Sequence, residues 1–163
     1  MNKKNSHGFT LIEMLLFMGI FMILLLVLTD IFSSSLELQK ETESTSEVQQ
    51  NVSFIINRLS YDISRADDII IPASPGTVTD SLQVLKNSVN QTYQLNNNQL
   101  ILTDNIGSDR LNSMNTLISN LQFTRLGNEN GKNTISVDFT VTGINIKKSG
   151  PESKSYNFTV GVR

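Results

Sequence analysis

Side chains able to do acid–base or ligand chemistry are sparse in this chain of 163 residues. There is no cysteine, and the single histidine is His7. Thiolate nucleophiles, cysteine zinc sites and haem attachment through cysteine are therefore excluded, and a Ser-His arrangement would have to be built on His7 alone. Carboxylates remain. Asp67 and Asp68 could open a calcium site, but Ca²⁺ takes roughly six to eight oxygens and no further ligand spacing follows. Solvated carboxylates at a helix end are the expectation. Asp62 follows Arg58 and precedes Arg65 at the spacing of local helix ion pairs rather than of a catalytic dyad. Gly127 to Thr134 superficially suggests a phosphate loop, yet its spacing fails and it joins two strand patterns, so a hairpin turn is expected. No cofactor, no metal and no enzymatic activity are expected. Lys147 and Lys148 sit on a turn, and with a formal net charge of −2 there is no electrostatic case for nucleic acid as the main partner.

Glu13 is the carboxylate that stands out. It interrupts the run from Phe9 to Leu28, twenty otherwise mostly apolar residues that as a helix would span roughly 30 Å, the hydrocarbon thickness of a bilayer. Lys3 and Lys4 flank the start, which places the N-terminus in the cytoplasm and the rest outside. A carboxylate in such a run costs a few kcal/mol unless it is paired. Two readings stand side by side: a tolerated charge one turn from the helix end, snorkelling to the interface, or a group awaiting a cation from another chain.

The hexapeptide Gly8-Phe9-Thr10-Leu11-Ile12-Glu13, with positive residues before it and an apolar run after it, resembles the type IV prepilin processing motif at every position. The resemblance implies that a prepilin peptidase cuts between Gly8 and Phe9 on the cytoplasmic side and methylates the new amino group of Phe9. It also implies that Glu13 pairs with the Phe9 ammonium of a neighbouring subunit, so that two charges costly in the membrane offset one another in register. His7 would leave with the leader. So would Lys3 and Lys4, taking the 13 basic residues to 11 against 15 acidic ones. An ordinary secretory signal peptide is the competing reading, with Ser33-Ser34-Ser35 as a weak cleavage site, but the apolar run exceeds the usual length for one.

Beyond the membrane run the helix should continue. From Asp30 to about Arg65 there is neither Pro nor Gly, and Val48, Val52, Ile55, Leu59, Ile63 and Ala66 recur every three or four residues as one apolar stripe. After Pro72-Ala73-Ser74-Pro75-Gly76 the period changes. Leu82 to Leu85, Thr92 to Leu95, Gln99 to Leu102, Leu121 to Leu126, Thr134 to Thr142 and Tyr156 to Val162 read as strands, with Ile135, Val137, Phe139 and Val141 alternating against polar neighbours. Asn96-Asn97-Asn98 and Gly127 to Gly131 read as hairpin turns, and Lys147 to Lys154 as a longer one. The expected fold is α+β and pilin-like: a long N-terminal helix, half membrane-borne and half amphipathic, packed on an antiparallel β-sheet head. Its divisions would be a leader at 1–8, a transmembrane and filament-core helix at 9–29, an amphipathic spine at 30–66 and a β-rich head at 67–163.

Asn57 to Ile69, with Arg58, Asp62 and Arg65 ahead of Ala66, is similar to the end of the spine in J-class minor pilins and pseudopilins, and the segments around Leu82, Tyr93, Leu100 and Leu117 are similar to that class's head strands. The resemblance implies a head of two packed sheets, or of one sheet that splits, and a structural subunit that helps initiate or cap a type IV pilus or a type II secretion-like pseudopilus. Implied partners are the prepilin peptidase, other minor and major pilins or pseudopilins through the N-terminal helix, the inner-membrane assembly platform, and membrane lipid before assembly. The implied location is a single-pass membrane protein with its head outside, then a filament at the cell surface or in the periplasm. The alternative is a tip-borne binding module for DNA, a surface or an exported protein.

Overall fold

In a computed structural model, residues 8–127, 132–147 and 150–163 are described, with 145–147 in backbone only. The chain divides into two compact units, Met1–Glu41 and Thr42–Arg163. One helix, α1 (Leu11–Ser64, 54 residues), contributes to both. The absence of Pro and Gly after Gly19 leaves its backbone ladder uninterrupted.

Within the first unit every described residue up to Lys40 is exposed, including Leu15, Met22 and Leu26. The most apolar stretch of α1 has a mean hydropathy of 2.9 and no residue buried. A surface of this kind is stable only in lipid or against other apolar helices.

The second unit is a β-rich body with Thr42–Ser64 of α1 as its helix. The stripe expected from the sequence is the buried one: Val48, Val52, Ile55, Leu59 and Ile63 are all nearly inaccessible. The nine strands of the described residues lie in two antiparallel sheets. A five-stranded antiparallel sheet has the order β1 (Asp68–Ile71), β3 (Ser81–Lys86), β4 (Val89–Asn96), β5 (Gln99–Thr103), β6 (Ser108–Arg110). A four-stranded antiparallel sheet has the order β2 (Val78–Thr79), β7 (Thr116–Leu126), β8 (Thr134–Lys147), β9 (Gly150–Gly161). Both sheets and the helix stripe share one core, to which Leu82, Val84, Tyr93 and Leu100 come from the first sheet and Phe123, Ile135, Val137 and Phe139 from the second.

Turn chemistry holds the first sheet in register. Asn97 and Asn98 join β4 to β5 with φ of 48° and 61°, and Asn87 and Ser88 join β3 to β4 with φ of 50° and 63°. Two-residue hairpins of type I′ need positive φ at both central positions, which Asn tolerates better than most residues. In β7 the buried side changes from Ile118 to Leu121 because Asn120, at φ 52°, forms a bulge where the pairing with β8 shifts. Gly143 on β8 lies under the helix: a Cβ there would sit 3.2 Å from Val48 Cγ2 and 3.3 Å from Ser44 Oγ.

Three strands go beyond the sequence reading, and one expectation changes. The strands β1, β2 and β6 are too short to carry an alternation, and they are held by their neighbours rather than by their own pattern. The longer turn expected from Lys147 to Lys154 is not one, since β8 runs to Lys147 and β9 starts at Gly150, with Lys147 opposite Gly150 and Val141 opposite Lys154. Cross-strand hydrogen bonding extends the hairpin past the polar residues that had suggested a loop. Residues 128–131, which the hairpin-turn expectation for Gly127 to Gly131 includes, and 148–149, Lys148 among them, lie outside the described residues.

Candidate functional site

The hexapeptide from Gly8 to Glu13 lies at the start of α1. Gly8, Phe9 and Thr10 precede the helix and are exposed, Phe9 at 88%. His7, Lys3 and Lys4 lie outside the described residues. Glu13 is in the first helical turn, and its Oε2 accepts from the Thr10 backbone N–H at 2.9 Å and from Thr10 Oγ1 at 2.9 Å. In return the Glu13 backbone N–H donates to Thr10 Oγ1 at 3.3 Å. This is a reciprocal capping box, in which two N–H groups that the helix cannot satisfy find side-chain acceptors. The Glu13 carboxylate is thus held at the helix start, by Thr10. Thr10 is a residue that the charge argument passed over, although Thr-x-x-Glu before an apolar run is a legible capping signal.

A second cluster of charge lies inside the β-rich unit. Asp62 is fully buried. Its Oδ2 meets Arg58 Nε at 2.6 Å and accepts the phenolic hydrogen of Tyr93, while its Oδ1 meets Lys86 Nζ at 2.6 Å. The local pair with Arg58 is present as the spacing suggests. Arg65 instead donates to the Tyr61 hydroxyl at 2.8 Å and lies over the Tyr61 ring. Lys86 on β3 and Tyr93 on β4 had no sequence signal, being 24 and 31 residues away from Asp62. Burial first, and then the hydrogen bond to the Asp62 carboxylate, push the Tyr93 phenol well above its ordinary value. A buried carboxylate with two cations and a phenol fastens helix to sheet. Its oxygens are occupied by protein, which leaves it nothing with which to take a substrate.

Neither Asp67 nor Asp68 forms a ligand set. Asp67 Oδ2 accepts from the Asn87 N–H at 2.7 Å, and Asp68 Oδ1 from the Ile69 N–H at 2.8 Å. Among the described residues no group of three or more His, Cys, Asp or Glu is placed to hold a metal ion. Gly127 leads from β7 towards β8, whose ladder closes with Leu126 opposite Thr134, so the glycine-containing segment joins two strands.

Comparison with known proteins singles out the first of these two places. Residues 3–29 match the model of the prokaryotic N-terminal methylation motif. No curated protein and no solved structure matches the chain. The chain is therefore prepilin-like, carrying the methylation motif of type IV prepilins and pseudopilins on a long helix packed against antiparallel sheets. That motif implies processing by a prepilin peptidase and assembly with pilins, a structural role rather than an enzymatic one.

Proposed function

We propose that this prepilin-like chain is a minor pilin or pseudopilin that helps initiate or cap assembly of a type IV pilus or a type II secretion-like pseudopilus. The observation that carries the reading is the methylation motif over residues 3–29 at the head of an uninterrupted 54-residue helix. In this reading the prepilin peptidase cuts between Gly8 and Phe9 and methylates the Phe9 nitrogen, residues 1–8 are the leader, and 9–29 anchor the subunit in the membrane before entering the filament core. Residues 30–66 are the spine and 67–163 the head. Glu13 exchanges its capping contacts with Thr10 for the Phe9 ammonium of a neighbouring subunit, since a carboxylate in an apolar helix bundle is stabilised most by a full opposite charge. Minor rather than major status, and the J class, rest on the similarity of Asn57 to Ile69 and of the head strands. Other pilins and the inner-membrane assembly platform are the partners.

Co-expression of the full chain with a prepilin peptidase tests the reading through the intact mass and the N-terminal residue. A mature chain beginning with methylated Phe9 is expected. A cut beyond Leu28, or none, overturns it. The variant Glu13→Ala should be processed like the parent yet enter filaments poorly, and normal incorporation would remove the role given to Glu13.

A further inference from the structure

The second sheet ends on β9, a strand of 12 residues with β8 on one side and no strand on the other among the described residues. The direction of its backbone groups follows from two hydrogen bonds. Val162 N–H donates to the Asn133 carbonyl at 2.8 Å, so its even-numbered neighbours face β8, opposite Ile135, Val137 and Phe139. The odd-numbered residues Ser155, Asn157, Thr159 and Gly161 then direct their N–H and C=O outward. Arg163, next in that series, does so visibly: its N–H reaches out to the Ser64 carbonyl at the end of α1, at 3.2 Å.

Long edges of this kind template pairing with other chains, and proteins blunt them with proline, lysine and bulges. β9 carries such devices in its first half only. Pro151 and Lys154 lie there, beside an irregularity in the β8–β9 register between Thr142 and Ile146. From Ser155 to Val162 there is neither charge nor proline, and Tyr156, Phe158, Val160 and Val162 alternate as half-buried side chains on the core side. They stay half-covered because the sheet stops beside them. A concavity of about 490 Å³ opens at this edge, walled by Ser60, Tyr61 and Ser64 of α1 and by Thr159, Val160 and Gly161.

We propose that the free edge of β9 from Ser155 to Gly161 is a strand-addition site that takes a short extended segment of a different chain with apolar residues at alternate positions. The slot limits its own occupant. The Ser64–Arg163 bond closes one end and the Lys154–Pro151 stretch blunts the other, leaving seven residues, roughly 20–24 Å of strand. A second copy's β9, at 12 residues, would run into Ser64 in the antiparallel registers that pair the open segments with each other, so self-pairing is disfavoured. Backbone bonds to the four outward residues supply affinity, and one alternate side chain entering beside Tyr61 and Val160 supplies selectivity. The slot stands on β9 itself and does not depend on the filament reading.

The test uses the full chain in detergent micelles with residue-resolved amide hydrogen exchange. The probe is a synthetic heptapeptide, Ile-Ser-Val-Asp-Phe-Thr-Val, the sequence of residues 135–141 that already pairs with the other edge of β9. Protection is expected at the amides of Ser155, Asn157, Thr159 and Gly161, and not in the N-terminal part of α1. The variant Thr159→Pro removes an outward N–H without touching the β8 ladder, and should weaken the probe at least about tenfold while the near-UV circular dichroism stays unchanged. A probe methylated at every backbone nitrogen should not bind the unaltered chain, which decides the matter even if Thr159→Pro fails to fold. No protection at millimolar probe, protection elsewhere, or undiminished binding of the methylated probe each overturns the proposal, and formation of homodimers through β9 would replace the occupant by a second copy.

Discussion

Removal of the Asp62 carboxylate should expose how the helix is fastened to the first sheet. In Asp62→Ala three groups lose their common partner: Arg58 its counter-charge, and Lys86 and the Tyr93 hydroxyl their acceptor. Arg58 is 39% exposed and can turn to water, so its share is small. Lys86 is 17% exposed and Tyr93 is fully buried, so these two are left with an unbalanced charge and an unsatisfied donor. Taking one partner from a buried ion pair costs about 3–5 kcal/mol, and the partial exposure of the cations places the expectation near the lower end, about 3 kcal/mol. For a body of this size that is a fall in Tm on the order of 10 °C. Thermal unfolding of the full chain in micelles, followed by the near-UV signal of the tyrosines, reads it. The triple change Asp62→Leu, Lys86→Met, Tyr93→Phe removes the more deeply buried members of the cluster at similar volume and should recover most of the loss, because Arg58, the one charge that remains, can turn to water. A single-variant cost under about 1 kcal/mol, or a triple variant no better than the single, would refute the view that Asp62 is a buried acceptor on which its neighbours depend.

The same cluster sets an alkaline limit on stability. The Tyr93 phenol is raised in the folded state, so its contribution is fully present below the ordinary phenol value of about 10 and is lost as pH rises from there through the folded value. Tyr93→Phe should flatten the loss of stability on the alkaline side in a series of denaturant titrations, and an unchanged slope would contradict the assignment. Asn112, almost fully buried between the sheets, accepts from the Leu100 N–H at 2.9 Å and donates to the Thr116 carbonyl at 2.6 Å. Asn112→Ala should cost about 1–3 kcal/mol and speed exchange of the Leu100 amide.

The parts of this protein that depend on neighbours in sequence are the parts the sequence determined. The methylation motif is contiguous and a membrane helix needs only a run of apolar residues, so the motif around Gly8, Phe9 and Glu13 can be picked out without any fold. The stripe from Val48 to Ile63 and the alternation from Ile135 to Val141 are legible for the same reason: helix and strand periods are local, and burial follows the period. Tertiary structure decided what joins residues far apart. Nothing in the order of strands announces that β2 leaves β1 and β3 to pair with β7, because a two-residue strand takes its place from its partner. Asp62 reads as a helix-surface acid until Lys86 and Tyr93 close over it from β3 and β4. The open edge of β9 is likewise invisible in sequence, since Ser155 to Gly161 has the alternation of a strand with neighbours on both sides. Among the described residues, only the position of β9 at the end of the sheet leaves its outward backbone groups without a ladder, because hydrogen-bond supply is a property of neighbours in space and not of the residues themselves.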